Sequence, residues 1–141
     1  MNKFLVPLLF ATCCFLPGGP ARAAETRPED AAQPPATEWL ALVDAGKYVE
    51  SWERMSSGFK KAVSKRKWKS TIEKVRKPLG KFISRKLKSV EYAKELPGAP
   101  EGEYVVLQYE SAFERRPAAV EKVTLILGQD LTWRVSSYAV K

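Results

Sequence analysis

Glu121, Tyr109 and Tyr138 are the residues through which this chain could move a proton. A carboxylate in an apolar setting can act as a base, and a tyrosine hydroxyl can donate to an oxygen that gains charge. Glu121 lies on an alternating row, Ala119, Glu121, Val123, Leu125 and Leu127, so it shares one strand face with apolar side chains. If that face is inward, the carboxylate is buried and needs a cationic partner, for which Arg76 and Arg134 are the candidates. If Val120 and Ile126 face inward instead, Glu121 is wet, and period two alone does not choose between the faces. The plainer role for such a buried pair is structural. The functional role is a ligand pocket in which Tyr109, Glu121, Arg134, Tyr138 and Arg76 are the placed polar groups among aromatic and apolar neighbours.

Other chemistries are excluded by composition. The chain has no His, which removes the commonest general base and the commonest metal ligand together. Its two cysteines, Cys13 and Cys14, lie in an N-terminal segment that reads as removable. A Ser-His-Asp or Cys-His enzyme is therefore ruled out, and the three Asp beyond residue 23 are too scattered for a calcium loop. No cofactor and no metal is expected.

The N-terminus has the layout of a secretory signal peptide. Lys3 precedes an apolar run from Phe4 to Leu16, Pro17-Gly18-Gly19-Pro20 breaks it, and Ala21-Arg22-Ala23 fits a cleavage site. The run is too short to span a membrane. Residues 1–23 are thus expected to be cleaved, which places the product in the periplasm or outside the cell. Residues 24–36, AETRPEDAAQPPA, read as a loose, disordered leader. The folded domain is expected over 37–141.

Thr37 is a plausible N-cap for a helix carrying Trp39, Leu42 and Val43 on one face, with Gly46 as its stop. Tyr48, Trp52, Met55 and Phe59 form a second stripe. Ser64 caps a third helix, whose apolar seam reads Trp68, Ile72, Val75, with Pro78 and Gly80 ending it. The period then changes to two. Phe82 to Leu96 alternates with a slip of phase between Leu87 and Val90, which marks a bulge. Val105, Leu107, Tyr109, Ser111 and Phe113 form a regular row. The Glu121 row follows, then Trp133, Val135, Ser137 and Ala139. Helices followed by four antiparallel strands make an α+β domain.

These residues resemble the bacterial exported family of unknown function DUF4019 over about residues 37 to 141. The resemblance is carried by Trp39-Leu40, Asp44-Ala45-Gly46, Ser51-Trp52, Phe59-Lys60, Trp68, Arg76, Pro78-Leu79-Gly80 and Ser84-Arg85. It continues through the loop Leu96-Pro97-Gly98-Ala99-Pro100-Glu101-Gly102 into Glu103-Tyr104-Val105-Val106, then Phe113, Glu121-Lys122-Val123-Thr124, Trp133-Arg134-Val135 and Tyr138. Two positions depart from the family's pattern. Asp130-Leu131 stands where Asp-Gly is usual, and Ser137 stands where Gly often precedes the last Tyr. The resemblance implies an NTF2-like or cystatin-like fold, a curved four-stranded antiparallel sheet wrapped around helices, with a cone that is either filled or open. It brings no catalytic residues. Ketosteroid-isomerase-like members of the broader fold use a carboxylate base and a Tyr donor, which Glu121 with Tyr109 or Tyr138 could imitate; fold analogy alone does not make an enzyme.

Charge supplies the remaining reading. The chain has 24 Lys or Arg against 16 Asp or Glu, a net of +8, and fourteen of those cations fall between Lys60 and Lys94 beside only Glu73 and Glu91. Lys65, Arg66, Lys67 and Lys69 head this segment. Charge runs are usually solvated faces, and the alternative here is an anionic envelope surface. Nucleic acid is not an expected partner, because an exported protein meets little of it and the aromatics lie on apolar seams. The expectation is an exported, non-catalytic binding or interaction domain for a small apolar ligand in the cone or an envelope protein. Electrostatic contact with anionic lipid comes second, and a carboxylate-based isomerase or lyase third.

Overall fold

The computed structural model describes residues 24–141; the expected signal peptide lies outside the described residues. Four helices, α1 (Pro28–Asp44), α2 (Tyr48–Glu53), α3 (Ser57–Ala62) and α4 (Lys65–Arg76), lead through a 3-10 turn (Lys77–Leu79) into the strands. The strands are β1 (Phe82–Ala93), β2 (Tyr104–Phe113), β3 (Arg116–Leu127) and β4 (Trp133–Val140). They form one antiparallel sheet in sequence order, β1-β2-β3-β4. This is the α+β arrangement, and no described helix is long and apolar enough to cross a membrane.

The loose leader expected over 24–36 is a correction. From Pro28 onward it is helix, and Thr37 is no cap but a mid-helix residue whose hydroxyl donates to Gln33 O at 3.0 Å. Pro28 sits at the first helical position, where its missing N–H costs nothing. Pro34 and Pro35 lie inside the helix, with Pro34 in water. What offsets their missing donors is burial. Ala32, Ala36, Trp39, Leu40 and Val43 are each at most 1% exposed and run along one face at helical spacing.

The helix ends in a Schellman turn. Gly46, at φ +72°, donates to Val43 O at 3.0 Å, and Lys47 donates to Leu42 O at 2.8 Å. Asp44 is thereby fixed at the last helical position, with its side chain free to reach across the domain.

α4 begins as read, with Ser64 Oγ accepting from Lys67 N at 3.2 Å. Its buried line, however, is Trp68, Ile72 and Arg76, spaced i, i+4, i+8, while Val75 is 38% exposed. The expected third seam residue, Val75, yields to Arg76 because acidic partners inside the domain take the guanidinium.

Between helices and sheet the core is packed with side chains. Trp39 lies 6.0 Å from Trp68 and 5.3 Å from Tyr138, and Phe59 stands edge-on to Trp68 at 5.4 Å. The three helix-borne indole N–H groups are satisfied: Trp39 donates to Ser51 O and Trp68 to Ser51 Oγ, both at 3.0 Å, and Trp52 donates to Val63 O at 2.8 Å. From the sheet, Val105, Leu107, Tyr109, Val123, Leu125, Trp133 and Val135 complete this cluster.

Register decides which face Glu121 takes. Tyr109 pairs with Glu121 and Leu107 with Val123, so the Glu121 row faces the core, and Glu121 is 0% exposed. The phase slip read in β1 is a register shift between Leu87 and Ser89, and a second falls between Phe82 and Ser84. In β4 the expected row Trp133, Val135, Ser137, Ala139 holds only for its first half. A shift opposite Thr124 and Leu125 inserts Ser136, so Tyr138 pairs with Val123 and turns inward while Ser137 and Ala139 are exposed. In the final hairpin Leu131 adopts φ +61°, the left-handed conformation that a Gly would take without strain.

Candidate functional site

Five elements converge on one node. Asp44 comes from the end of α1, Arg76 from the end of α4, Arg85 from β1, Glu121 from β3 and Tyr138 from β4. Arg85 donates through Nη1 to Asp44 Oδ2 at 2.9 Å and through Nη2 to Asp44 Oδ1 at 3.1 Å, a two-point grip. Its Nε donates to Glu121 Oε1 at 2.7 Å. Arg76 Nη2 donates to Asp44 Oδ1 at 2.8 Å. Glu121 also accepts from Ser111 Oγ on Oε1 and from Tyr138 OH on Oε2, both at 2.5 Å.

Two guanidiniums thus face two carboxylates with side-chain exposures of 5% and 12% for Arg76 and Arg85, 15% for Asp44 and 0% for Glu121. Charges removed this far from water persist only when balanced and hydrogen-bonded. Both guanidiniums also lie over aromatic rings, Arg76 at 4.8 Å from Phe113 and Arg85 at 4.3 Å from Phe82. Burial works against the charge on each, but Asp44, Glu121 and Tyr138 more than offset it, and both side chains hold their protons more tightly than a free arginine. Burial, reinforced by Glu121 and opposed by Arg76, pushes the Tyr138 hydroxyl far above the ordinary tyrosine range. Burial raises Tyr109 as well.

Of the five residues singled out in the sequence, the structure brings four together. Arg76, Glu121 and Tyr138 are in the node, and Tyr109 lines it, with the Arg85 guanidinium 5.8 Å from its ring. Arg134 is the exception. It faces outward opposite Ile126, donates to Asp130 at 2.9 and 2.6 Å, and holds that carboxyl down to about pKa 2. Its partner is four residues away, so the residue placed earlier beside Glu121 braces a hairpin instead. Asp44 and Arg85 are the members missed. Asp44 carried a signal, standing two residues before a Gly helix stop; Arg85 carried none, because period two from Phe82 reaches Ser84 and Lys86, and it is the register shift between Phe82 and Ser84 that turns Arg85 inward.

Arg85, Glu121 and Tyr138, the inner members of the node, line neither depression described below. All three hydrogen bonds to Glu121 come from within the domain, and it lines neither of the two depressions described. The two depressions described are open to solvent. One, of about 520 Å³, runs along the outer side of α1 past Asp30, Pro34 and Glu38. The other, of about 670 Å³, lies where α1 and α4 end, between Val43, Ala45, Tyr48, Arg76, Lys81 and Phe82. Asp44 and Arg76 form its floor. Glu73, Lys77, Glu114 and Arg115 complete its rim. Among the described residues, no three His, Cys, Asp or Glu side chains come together as a metal site.

The rim is held by the β2–β3 hairpin tip. Arg115 donates from its side chain to Pro78 O at 3.1 Å and Lys77 O at 2.8 Å, and from its backbone to Leu79 O at 2.9 Å. Glu114 N donates to Lys81 O at 2.8 Å. Gly80 lies beneath this clamp at φ +75°, and a Cβ there would stand 2.9 Å from Glu114 Cβ.

A helical layer on a four-stranded antiparallel sheet, tied by a buried Asp-Arg-Arg-Glu-Tyr node, defines the class of domain. The family model for a protein of unknown function, DUF4019, matches residues 35–138, and the chain belongs to that family. None of the curated proteins matches this chain.

Proposed function

We propose that this DUF4019 domain is an exported, non-catalytic binding domain, and that its ligand sits in the groove between the ends of α1 and α4, not inside the cone. The support is the state of the groups that line the groove. Its acids are already engaged: Asp44 by two guanidiniums, Glu114 by Lys81 N at 3.2 Å, and Glu73 by Lys69 at 3.9 Å. Three of its donors are not: among the described residues, the Tyr48 hydroxyl and the Lys77 and Lys81 ammoniums have no side-chain partner. Val43, Ala45 and Phe82 add an apolar wall. That combination suits a small amphiphile bearing an acidic group, whose apolar body lies on the wall and whose charge meets the lysines. The NTF2-like or cystatin-like architecture implied by the family resemblance fits a binding role, by analogy only.

The test is native mass spectrometry of the protein purified from its own host's envelope, beside an Ala45→Trp variant. Ala45 is exposed, in an ordinary helical conformation, and lines the groove. The expected result is a chain lacking residues 1–23 that carries a small-molecule adduct, with the adduct lost in Ala45→Trp. An uncut chain would refute export. A bare wild-type protein, or an adduct that survives the tryptophan, would refute the groove.

A further inference from the structure

α4 buries Trp68, Ile72 and Arg76 and leaves its other residues exposed. At about 100° per residue, the direction opposite that line belongs to Arg66, Lys67, Ser70, Lys74 and, just past the helix, Lys77. The exposed α4 cations that have acidic partners lie off this stripe, Lys65 at 2.9 Å from Glu53 and Lys69 at 3.9 Å from Glu73. Among the described residues, the four cations on the outward stripe have none.

The helix start makes this arrangement costly. Its first turn is Lys65-Arg66-Lys67, with no acid. A helix N-terminus carries the positive end of the dipole, so three cations there oppose folding. Ser64 caps the helix, and Lys67 stands three residues on, where a Glu would close a capping box. A face required only to be wet would be served better by acids at these positions. Local stability has been given up for positive charge facing outward.

From this we infer that the outward stripe of α4 is a docking surface for an anionic lipid membrane. Its cations extend over about 16 Å of helix, too far apart to converge on one small anion but well matched to a sheet of phosphate head groups. The only aromatic on α4, Trp68, is 5% exposed, so no platform exists to stack bases. The one exposed apolar residue, Val75, cannot anchor a protein interface or insert into acyl chains. Contact is therefore peripheral and electrostatic. Lys77 is shared with the groove, but Arg66, Lys67 and Lys74 are not, and the inference rests on those three.

The experiment is vesicle co-sedimentation of the protein and of a variant carrying Arg66→Gln, Lys67→Glu and Lys74→Gln, none of which lines the groove. Wild type is expected to bind phosphatidylglycerol-rich vesicles at low salt, to ignore pure phosphatidylcholine, and to release at about 0.5 M salt, where screening is short-ranged. Each basic residue near such a surface is worth about fivefold in binding, so the triple variant should bind roughly a hundredfold more weakly. The same variant should melt at the wild-type temperature or above it, because the helix dipole is relieved. Ala45→Trp should bind vesicles normally, which separates this surface from the groove. Equal binding to phosphatidylcholine, undiminished binding by the variant, or retention of a single-stranded oligonucleotide as tight as that of the anionic vesicles would overturn the proposal.

Discussion

Replacing Glu121 by glutamine keeps its shape and removes its charge. In the native domain its oxygens accept from Arg85 Nε at 2.7 Å and from Ser111 and Tyr138 at 2.5 Å. With an amide, Arg76 and Arg85 are left with Asp44 as their sole carboxylate, one uncompensated positive charge away from water. The amide nitrogen also cannot accept from Tyr138 OH, whose other near neighbour, Arg76 Nη1 at 3.4 Å, is itself a donor. Breaking a buried pair on one side costs about 3–5 kcal/mol. With a urea m-value of about 2 kcal/mol per molar, the unfolding midpoint should fall by about 2 M. The diagnostic step is the double variant Glu121→Gln with Arg85→Met. It removes one charge of each sign and leaves Asp44 paired with Arg76 at 2.8 Å. Replacing both partners of a buried pair is far milder than removing one, so the double variant should regain about half of the loss. A single-variant loss below about 1 kcal/mol, or a double variant whose loss equals the sum of the two singles, would refute the account of the node as a charge-balanced unit.

Two further outcomes follow from the same geometry. Gly80→Ala forces a Cβ against Glu114 at a backbone conformation of φ +75°, ψ −160° that L residues avoid. It should cost about 2–4 kcal/mol and lower the melting temperature by about 10 °C, and an unchanged melt would show that the hairpin clamp yields freely. Tyr138 keeps its proton in the folded domain well past the point where an unfolded tyrosine gives it up. Its contribution is therefore complete below about pH 10 and shrinks as pH rises, by about 1.4 kcal/mol per pH unit for one proton. Tyr138→Phe should flatten that alkaline slope, which chemical denaturation at pH 9 to 11 would measure.

The strands were legible because side chains alternate on a pleat whatever the surroundings. Val105, Leu107, Tyr109, Ser111 and Phe113 are all buried as read, and the β1 slip at Leu87 is a true register shift. Tyr138 was legible as a candidate but not as an inward residue, because the inserted Ser136 resets the phase and a bulge leaves no mark in composition. The α1 start was hidden by two prolines and by alanines too small to register as core, although Ala32 and Ala36 keep helical spacing with Trp39 and Val43. Local pattern could place Glu121 on an apolar row but could not choose its partner. Arg85 and Asp44 are 41 residues apart in sequence, and only the docking of α1 against β1 brings them together. Arg134 misled for the converse reason, since a strand-borne arginine looks the same whether its acid is across the core or four residues away.

A consequence attaches to the way the node gathers its members from residue 44 to residue 138. An intermediate that lacks any one of the four charged contributors, Asp44, Arg76, Arg85 or Glu121, confines a bare ion. Partly built forms are thereby penalised, which favours a single sharp transition over a ladder of them. The same arithmetic bears on descent. A lineage can exchange these side chains two at a time, acid with base, while solitary replacements are filtered out, so the pairings themselves form the unit on which change can act.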